Sequence, residues 1–245
     1  MRVAVITPYY QESRDVLAKC HQSVAAQSHP CTHFMVADGH PRPEVSEWAV
    51  DHVILPAAHG DNGNTPRSIG SLTAINQGFD AIAYLDADNW FAPDHIASLA
   101  ALHAKTGAAV CTSARTIHRG DGTFMYRDTA GSDGETFADT SCLFLTRAAF
   151  RLAPLWAMMP KALGPVCDRM IWKAIVARDL PRAHTGQATL AFRSQYAAHY
   201  RHINEDPPPG AKTNENVIES PLLWKKTAGN EEVQAFRRYL ETGIW

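Results

Sequence analysis

The chain has 245 residues, 45% of them hydrophobic and 20% charged, which suits one large α/β domain or one domain with a modest appendage. A formal net charge of -2 argues against a protein whose main task is wrapping nucleic acid, while leaving a local basic groove open. The cysteines, Cys20, Cys31, Cys111, Cys142 and Cys167, are odd in number and lack CxxC spacing, so they read as reduced core residues of a cytosolic protein rather than disulfide staples or zinc ligands.

The opening run MRVAVITPYY is too short an apolar segment for a signal peptide and reads as a buried first strand. No uninterrupted apolar span approaches the roughly 18 residues a transmembrane helix needs, which leaves peripheral contact with the inner face of the membrane open. Next, SRDVLAKCHQSVAAQ carries Val16, Leu17, Cys20 and Val24 at helical spacing. HFMVA is a second strand ending at Asp38 and Gly39, and DHVIL a short third one. In TPRSIGSLTAINQGF, Thr65 suits a cap, Pro66 the first helical position, and Ile69, Leu72, Ile75 and Phe79 a buried stripe. AIAYL is the next strand, residues 93–105 a helix stopped by Gly107, and AAVCTSA another strand. Strands buried on both faces and separated by helices of this length predict a largely parallel sheet, whose ligands sit beyond the carboxyl ends of the strands.

After residue 113 the rhythm is lost. TIHRGDGTFMYRD reads as a hairpin around Asp121 and Gly122, TFADTSCLFLT as a strand, and RAAFRLAPLWAMM as a helix. PVCDRMIWKAIVARD is an amphipathic helix with Val166, Met170, Ile171 and Ile175 inward, followed by the strand QATLAFR and the aromatic, histidine-rich SQYAAHYRH. The predicted division is therefore 1–203 as one domain in two halves, 1–113 and 114–203, then a flexible loop or linker over 204–222 and a helical extension over 223–245. That extension suits docking on the domain, on a neighbour or on a surface, and homo-oligomers stay open.

The chemistry concentrates in YLDADNW, residues 84–90. Asp86 and Asp88, one residue apart at a strand end, repel each other unless a cation sits between them. Hard oxygen ligands favour Mg²⁺ or Mn²⁺, ions that bind through one or two carboxylates and complete their shell with waters and substrate phosphates. Arg67, in the first turn of its helix, opposes the helix dipole and so calls for a partner, either a phosphate or Asp86. The turn after the first strand, PYYQES, lacks the glycines that a dinucleotide fold or a P-loop places there, which argues against both.

VITPYYQES, VADGHP and GNTPRSIGSLTAINQGFDAIAYLDADNWFAPDHIASL together resemble a family 2 glycosyltransferase of the GT-A fold, over residues 3–102 and more weakly to about residue 203. The resemblance implies a mostly parallel, Rossmann-like nucleotide-binding sheet flanked by helices, with a smaller mixed acceptor-side region. It further implies a hexosyltransferase-like enzyme of bacterial surface-polysaccharide or glycolipid synthesis, inverting and metal-dependent. Its donor is a nucleotide-diphosphate sugar and its acceptor a glycan or glycolipid hydroxyl.

Residue by residue, Thr7, Pro8 and Tyr9 match the strand end lining the base, Glu12 the acidic residue near the nucleoside, and Asp38 the carboxylate bonding the base. Arg67 matches the arginine approaching the diphosphate, and Asp86, Ala87 and Asp88 match the metal and donor motif. Ser68 replaces the family's asparagine and DGHPRP its glycine-serine segment. Asp168 resembles the catalytic base at the start of a late helix, where the helix terminus is expected to keep it ionised. His199 and His202 match a region that supplies a third metal ligand in some members, Arg193 and Arg201 face phosphates there, and Asp139 and Thr140 fall on the acceptor side. Two alternatives compete: a sugar-phosphate nucleotidyltransferase, weakened by the missing Gly-rich first loop, and a non-catalytic nucleotide-sugar-binding protein.

Overall fold

Residues 1–128 and 131–241 are described by a computed structural model. Residues 242–245 of the expected C-terminal extension lie outside the described residues. Strand β1 (Val3–Tyr9) is buried along its whole length. Its alternation explains how: Ala4 and Ile6 enter the core on one face of the sheet, Val3 and Val5 the core on the other. Helix α1 (Arg14–Ala25) is capped by Ser13, whose Oγ accepts the Val16 N–H at 3.4 Å, and it buries Leu17, Cys20 and Val24. Val16 is only half-buried.

Strands β2 (Cys31–Asp38) and β3 (Asp51–Leu55) and helix α2 (Asn64–Asn76) follow, then β4 (Ala81–Tyr84). Of the buried stripe expected on α2, Phe79 is buried and Ile69 and Ile75 are half-buried against the core, and only Leu72 is turned out. Leu72 is 44% exposed, and the face against the sheet is Pro66, Gly70 and Ala74 with Arg67 and Ser71 beside it. A side chain at Gly70 would stand 2.7 Å from Ile6 Cγ2 and 2.9 Å from Val36 Cγ2. The helix thus lies so close to β1 and β2 that only small residues fit between them. Strand β5 (Trp90–Phe91) precedes α3 (His95–Thr106), which ends as expected at Gly107 with φ 68°.

The second half holds β6 (Val110–His118) and β7 (Phe124–Asp128), the expected hairpin, with Gly122 at φ 89° in its turn. A 3₁₀ turn, Thr140–Cys142, occupies the middle of the segment expected as strand, so β8 is only Leu143–Thr146. The helix expected after it is a 3₁₀ segment, Arg147–Leu152, running into α4 (Ala153–Ala157). Helix α5 (Cys167–Ala177) buries Met170, Ile171 and Ile175 as its spacing predicts. Strand β9 (Arg182–Arg193) is longer than the expected QATLAFR, and α6 (Ala197–His202) follows it. The expected linker ends early, because α7 (Asn214–Thr227) begins within it. Helix α8 (Asn230–Leu240) docks on the domain through Phe236 and Leu240, and Arg178 of the loop after α5 donates to the main-chain oxygen of Leu240 at 2.8 Å.

Among the described residues the sheet has nine strands, ordered β3-β2-β1-β4-β8-β6-β9-β5, with β7 paired to β6. The first four are parallel. Beyond them β8 is inserted antiparallel between β4 and β6, which makes the second half mixed. This is the expected GT-A architecture. No helix among the described residues is long and apolar enough to cross a membrane.

Candidate active site

Because β1, β2 and β4 are parallel, their carboxyl ends open on one edge of the sheet, where a cleft of about 380 Å³ is found. Pro8 and Tyr9 end β1, Asp38 ends β2, and Asp86, Ala87 and Asp88 follow β4; all six line the cleft, with Glu12 and Arg67. Thr7 is instead buried in the core, its hydroxyl 2.9 Å from His33 Nε2, so of the three residues expected at this strand end it does not reach the cleft. Thr7 lies two residues back from the strand's carboxyl end, inside the sheet rather than at its open edge. Tyr9 is largely a packing residue with a cleft-lining edge: its ring is 2% exposed and its hydroxyl accepts the Arg42 N–H at 3.1 Å.

Arg67 is buried and donates from Nη2 to Asp86 Oδ1 at 2.8 Å and from Nη1 to Asn64 Oδ1 at 3.1 Å, with its guanidinium over the Trp156 ring at 4.7 Å. Of the two partners expected for its charge, the one present is Asp86. The Asp86 main-chain N–H donates to Ser141 Oγ at 3.0 Å, which also accepts Asn89 Nδ2 at 3.3 Å, so β8's leading turn holds the carboxylate motif in shape.

Asp88 has the opposite surroundings. Burial pushes its carboxyl up to about 7, Asp86 and Glu12 reinforce the effect, and Arg193 opposes it. Its ionised form is therefore penalised until positive charge arrives. Oxygen donors crowded in this way fit a hard divalent cation. Among the described residues no three His, Cys, Asp or Glu side chains form a group that could hold a metal ion.

The neighbouring loops are built around the same edge. Asp38 accepts both the main-chain N–H of His59, at 3.0 Å, and a contact from its Nδ1 at 2.7 Å, so this carboxylate also ties down the following loop. Gly60, Asn62 and Gly63 take φ of 62°, 60° and 77°, turning the chain sharply into α2. Gly63, not Thr65, stands at the cap position of that helix, and Asp61 ahead of it accepts the Thr65 N–H at 2.9 Å and its hydroxyl at 2.6 Å.

A second pocket of about 320 Å³ is contiguous with the first, sharing Asn62, Arg67, Asp86, Phe192 and Tyr196. It contains Asp139, Thr140, Asp168 and His199. Asp168 lies in the first turn of α5, its Oδ1 accepting the Arg169 N–H at 2.7 Å. The expectation that the helix terminus keeps it ionised is corrected: burial, reinforced by Asp139, pushes it up to about 7. Desolvation outweighs the helix terminus here. Asp139 is held differently, in a buried ion pair with Arg115 Nη1 at 2.6 Å and as acceptor of the Ser141 N–H at 2.9 Å, and Arg115 also donates from Nε to Asp128 at 2.9 Å. Thr140 is buried beside it.

His199 contacts Ser194 Oγ through Nδ1 at 2.8 Å among the rings of Tyr126, Phe192 and Tyr196, and burial lowers it to about 4, so it is a neutral imidazole near pH 7. It lines the second pocket, while His202 is exposed against Tyr126 at 4.4 Å.

Several lining residues escaped sequence reasoning. Phe192, Gln195 and Tyr196 come from the end of β9 and the turn after it, and Lys212 from the stretch expected as linker. Gln195 Nε2 is 3.4 Å from Asp88 Oδ2, and Arg193 Nε donates to the Asp88 main-chain oxygen at 3.1 Å, both across more than 100 residues of chain. The aromatic density of SQYAAHYRH is the one signal that could have found Gln195 and Tyr196.

The sequence model of glycosyl transferase family 2 matches residues 4–163. No curated protein matches the chain. Among solved structures, the chain is similar to S. aureus TarS 1-349 in complex with UDP, with TM-score 0.61 and 12% identity over 98% of this chain and 71% of that one. S. aureus TarS 1-349 in complex with UDP-GlcNAc gives 0.57 and 12% over 98% and 82%. S. aureus TarS itself gives 0.61 and 13% over 98% of this chain and 49% of that one. At such identity the likeness is one of fold.

Proposed function

This chain belongs to glycosyl transferase family 2, and from that premise we propose that it moves a hexose from a nucleotide-diphosphate sugar to a hydroxyl of a glycan or glycolipid, by a single inverting displacement that depends on Mg²⁺ or Mn²⁺. The observation that carries the reading is the contiguity of the two pockets. A donor in the carboxylate cleft would turn its anomeric carbon toward an acceptor in the pocket of Asp168, across the shared Arg67 and Asp86.

In this reading Tyr9, Glu12 and Asp38 face the nucleoside end of the donor, and Arg193 and Lys212 bring positive charge to the diphosphate end. Arg67 orients Asp86 through their ion pair. Asp88, with Asp86 beside it, would hold a divalent cation, which when bound supplies positive charge against the departing diphosphate. Asp168 takes the proton of the acceptor hydroxyl as its oxygen bonds the anomeric carbon and the bond to the diphosphate oxygen breaks. Its raised pKa suits a base working near pH 7. The structures it resembles hold UDP and UDP-GlcNAc, which makes uridine donors the first to try.

The test is a panel of UDP-, GDP- and dTDP-sugars with Mg²⁺ or Mn²⁺, read by binding, by donor hydrolysis and by transfer. Metal-dependent hydrolysis or transfer of one donor class, with inverted anomeric configuration in the product, is the expected result. Retention of configuration would refute single displacement, and absence of turnover with every donor would refute the enzyme.

A further inference from the structure

Phe137 and Arg169, which line the pocket of Asp168, also line a third hollow, a groove of about 410 Å³ running between α5 and α7. Its volume falls within the range of small-molecule sites. Met170 and Trp172 face it from α5, and Ile218, Pro221 and Leu222 from α7. Ile218 and Leu222 are each 46% exposed. Helix α7 is already anchored by Trp224, which is 7% exposed, so these two residues are not needed to dock it. The helix also spans both hollows: Val217 lines the pocket of Asp168, and the next residue, Ile218, the groove.

Charge is arranged along one border of this apolar surface. Arg169 and Lys173, one helical turn apart on α5, both line the groove. Long cationic side chains of this kind lay their methylene stems along apolar surface and keep their heads at its rim. The Arg169 guanidinium lies over the Phe137 ring at 5.2 Å, at the junction between the groove and the pocket of Asp168. An occupant matching this order of features has a hydroxyl at one end, an anionic group beside it and a hydrocarbon beyond.

We propose that the groove is the tail site of an anionic amphiphilic acceptor, whose hydroxyl reaches Asp168 while a phosphate lies near Arg169 and Lys173 and its hydrocarbon fills the space between α5 and α7. The proposal rests on the transferase reading and narrows its acceptor to one chemical class. The occupant is a single amphiphile entering from solution or from a bilayer; neither a membrane surface nor a second copy of the chain is required.

Dodecyl phosphate below its micellar concentration is the probe, titrated onto the full chain and followed by tryptophan fluorescence, with inorganic phosphate and dodecyl maltoside as controls. Wild type is expected to bind it at least tenfold more tightly than either control. The double variant Ile218→Asp/Leu222→Asp should lose at least tenfold of that affinity while hydrolysing the nucleotide sugar at the wild-type rate. Leu222→Ser alone, a milder change at an exposed position, should move affinity the same way. Equal binding of the three probes, or unchanged binding by the double variant, overturns the proposal even if donor turnover is intact. Absence of donor turnover in wild type overturns the transferase reading, and the acceptor assignment with it. A wild-type dimer that the double variant converts to monomer overturns the proposal in favour of an interface between copies. Binding to phosphatidylglycerol vesicles without binding of the monomeric probe overturns it in favour of a membrane-contact patch.

Discussion

The raised carboxyl of Asp168 gives the most direct handle on the mechanism. A base acts as the carboxylate, so a group held at about 7 is about one-tenth ionised at pH 6, half at pH 7 and nine-tenths at pH 8. The turnover rate at saturating donor and acceptor should therefore climb about tenfold per unit of pH below 7 and level off above it. Asp139 is the like charge that helps burial raise Asp168. Asp139→Asn removes that charge, loosens Arg115 and keeps an oxygen to accept the Ser141 N–H. The first two effects favour the carboxylate, so the rising limb should move down by about one pH unit and the rate at pH 6 should increase severalfold. Asp168→Asn should lower turnover about 10²-fold or more above pH 7, with a smaller deficit at lower pH where the wild-type base is itself protonated, and leave donor binding within about twofold. Initial rates of sugar transfer between pH 5.5 and 9, paired with calorimetric donor binding at each pH, separate this limb from any that belongs to Asp88, since the latter appears in binding as well. A flat profile, a limb that Asp139→Asn leaves in place, or near wild-type transfer by Asp168→Asn would remove this carboxylate from the chemistry.

The same carboxylate should cost stability. A carboxyl whose folded pKa is raised makes the folded state bind protons more tightly than the unfolded one, so stability falls as pH rises from about 4 through 7. Asp168→Asn, which cannot ionise, should thus be more stable than wild type at pH 8 by about 1–3 kcal/mol in thermal or urea unfolding, with no gain at pH 4. Nucleoside-diphosphate affinity should fall at least about tenfold on chelation of divalent metal, and Asp88→Asn should imitate chelation in calorimetry; equal affinities in the three conditions would exclude a cation shared by ligand and protein. Gly70→Ala should destabilise by about 1–3 kcal/mol in urea denaturation, because its new methyl meets Ile6 and Val36 at under 3 Å, and stability at the wild-type level would show that α2 can lift from the sheet without cost.

Much of the donor half was legible in the chain itself. Fully apolar runs such as VAVIT specify strands buried on both faces, and the carboxylates that close two of them, Asp38 and Asp86, fall at the ligand-binding edge because parallel strands share one direction. The unfavourable place of Arg67 in its helix foretold a partner, and Asp86 is there. These are local signals, carried by a few neighbouring residues. The tertiary structure alone decided what depends on distant segments. The small-residue face of α2 follows from how near the helix lies to β1 and β2, so the larger Leu72 of the expected stripe is turned to solvent. Gln195 and Arg193 reach Asp88 because β9 pairs with β6 and β5, a register that no local pattern announces. Asp168 makes the point in energy: its place in a helix's first turn favours the carboxylate, yet the walls of its pocket, brought from widely separate stretches of chain, strip water from the half-buried carboxyl and disfavour its charge.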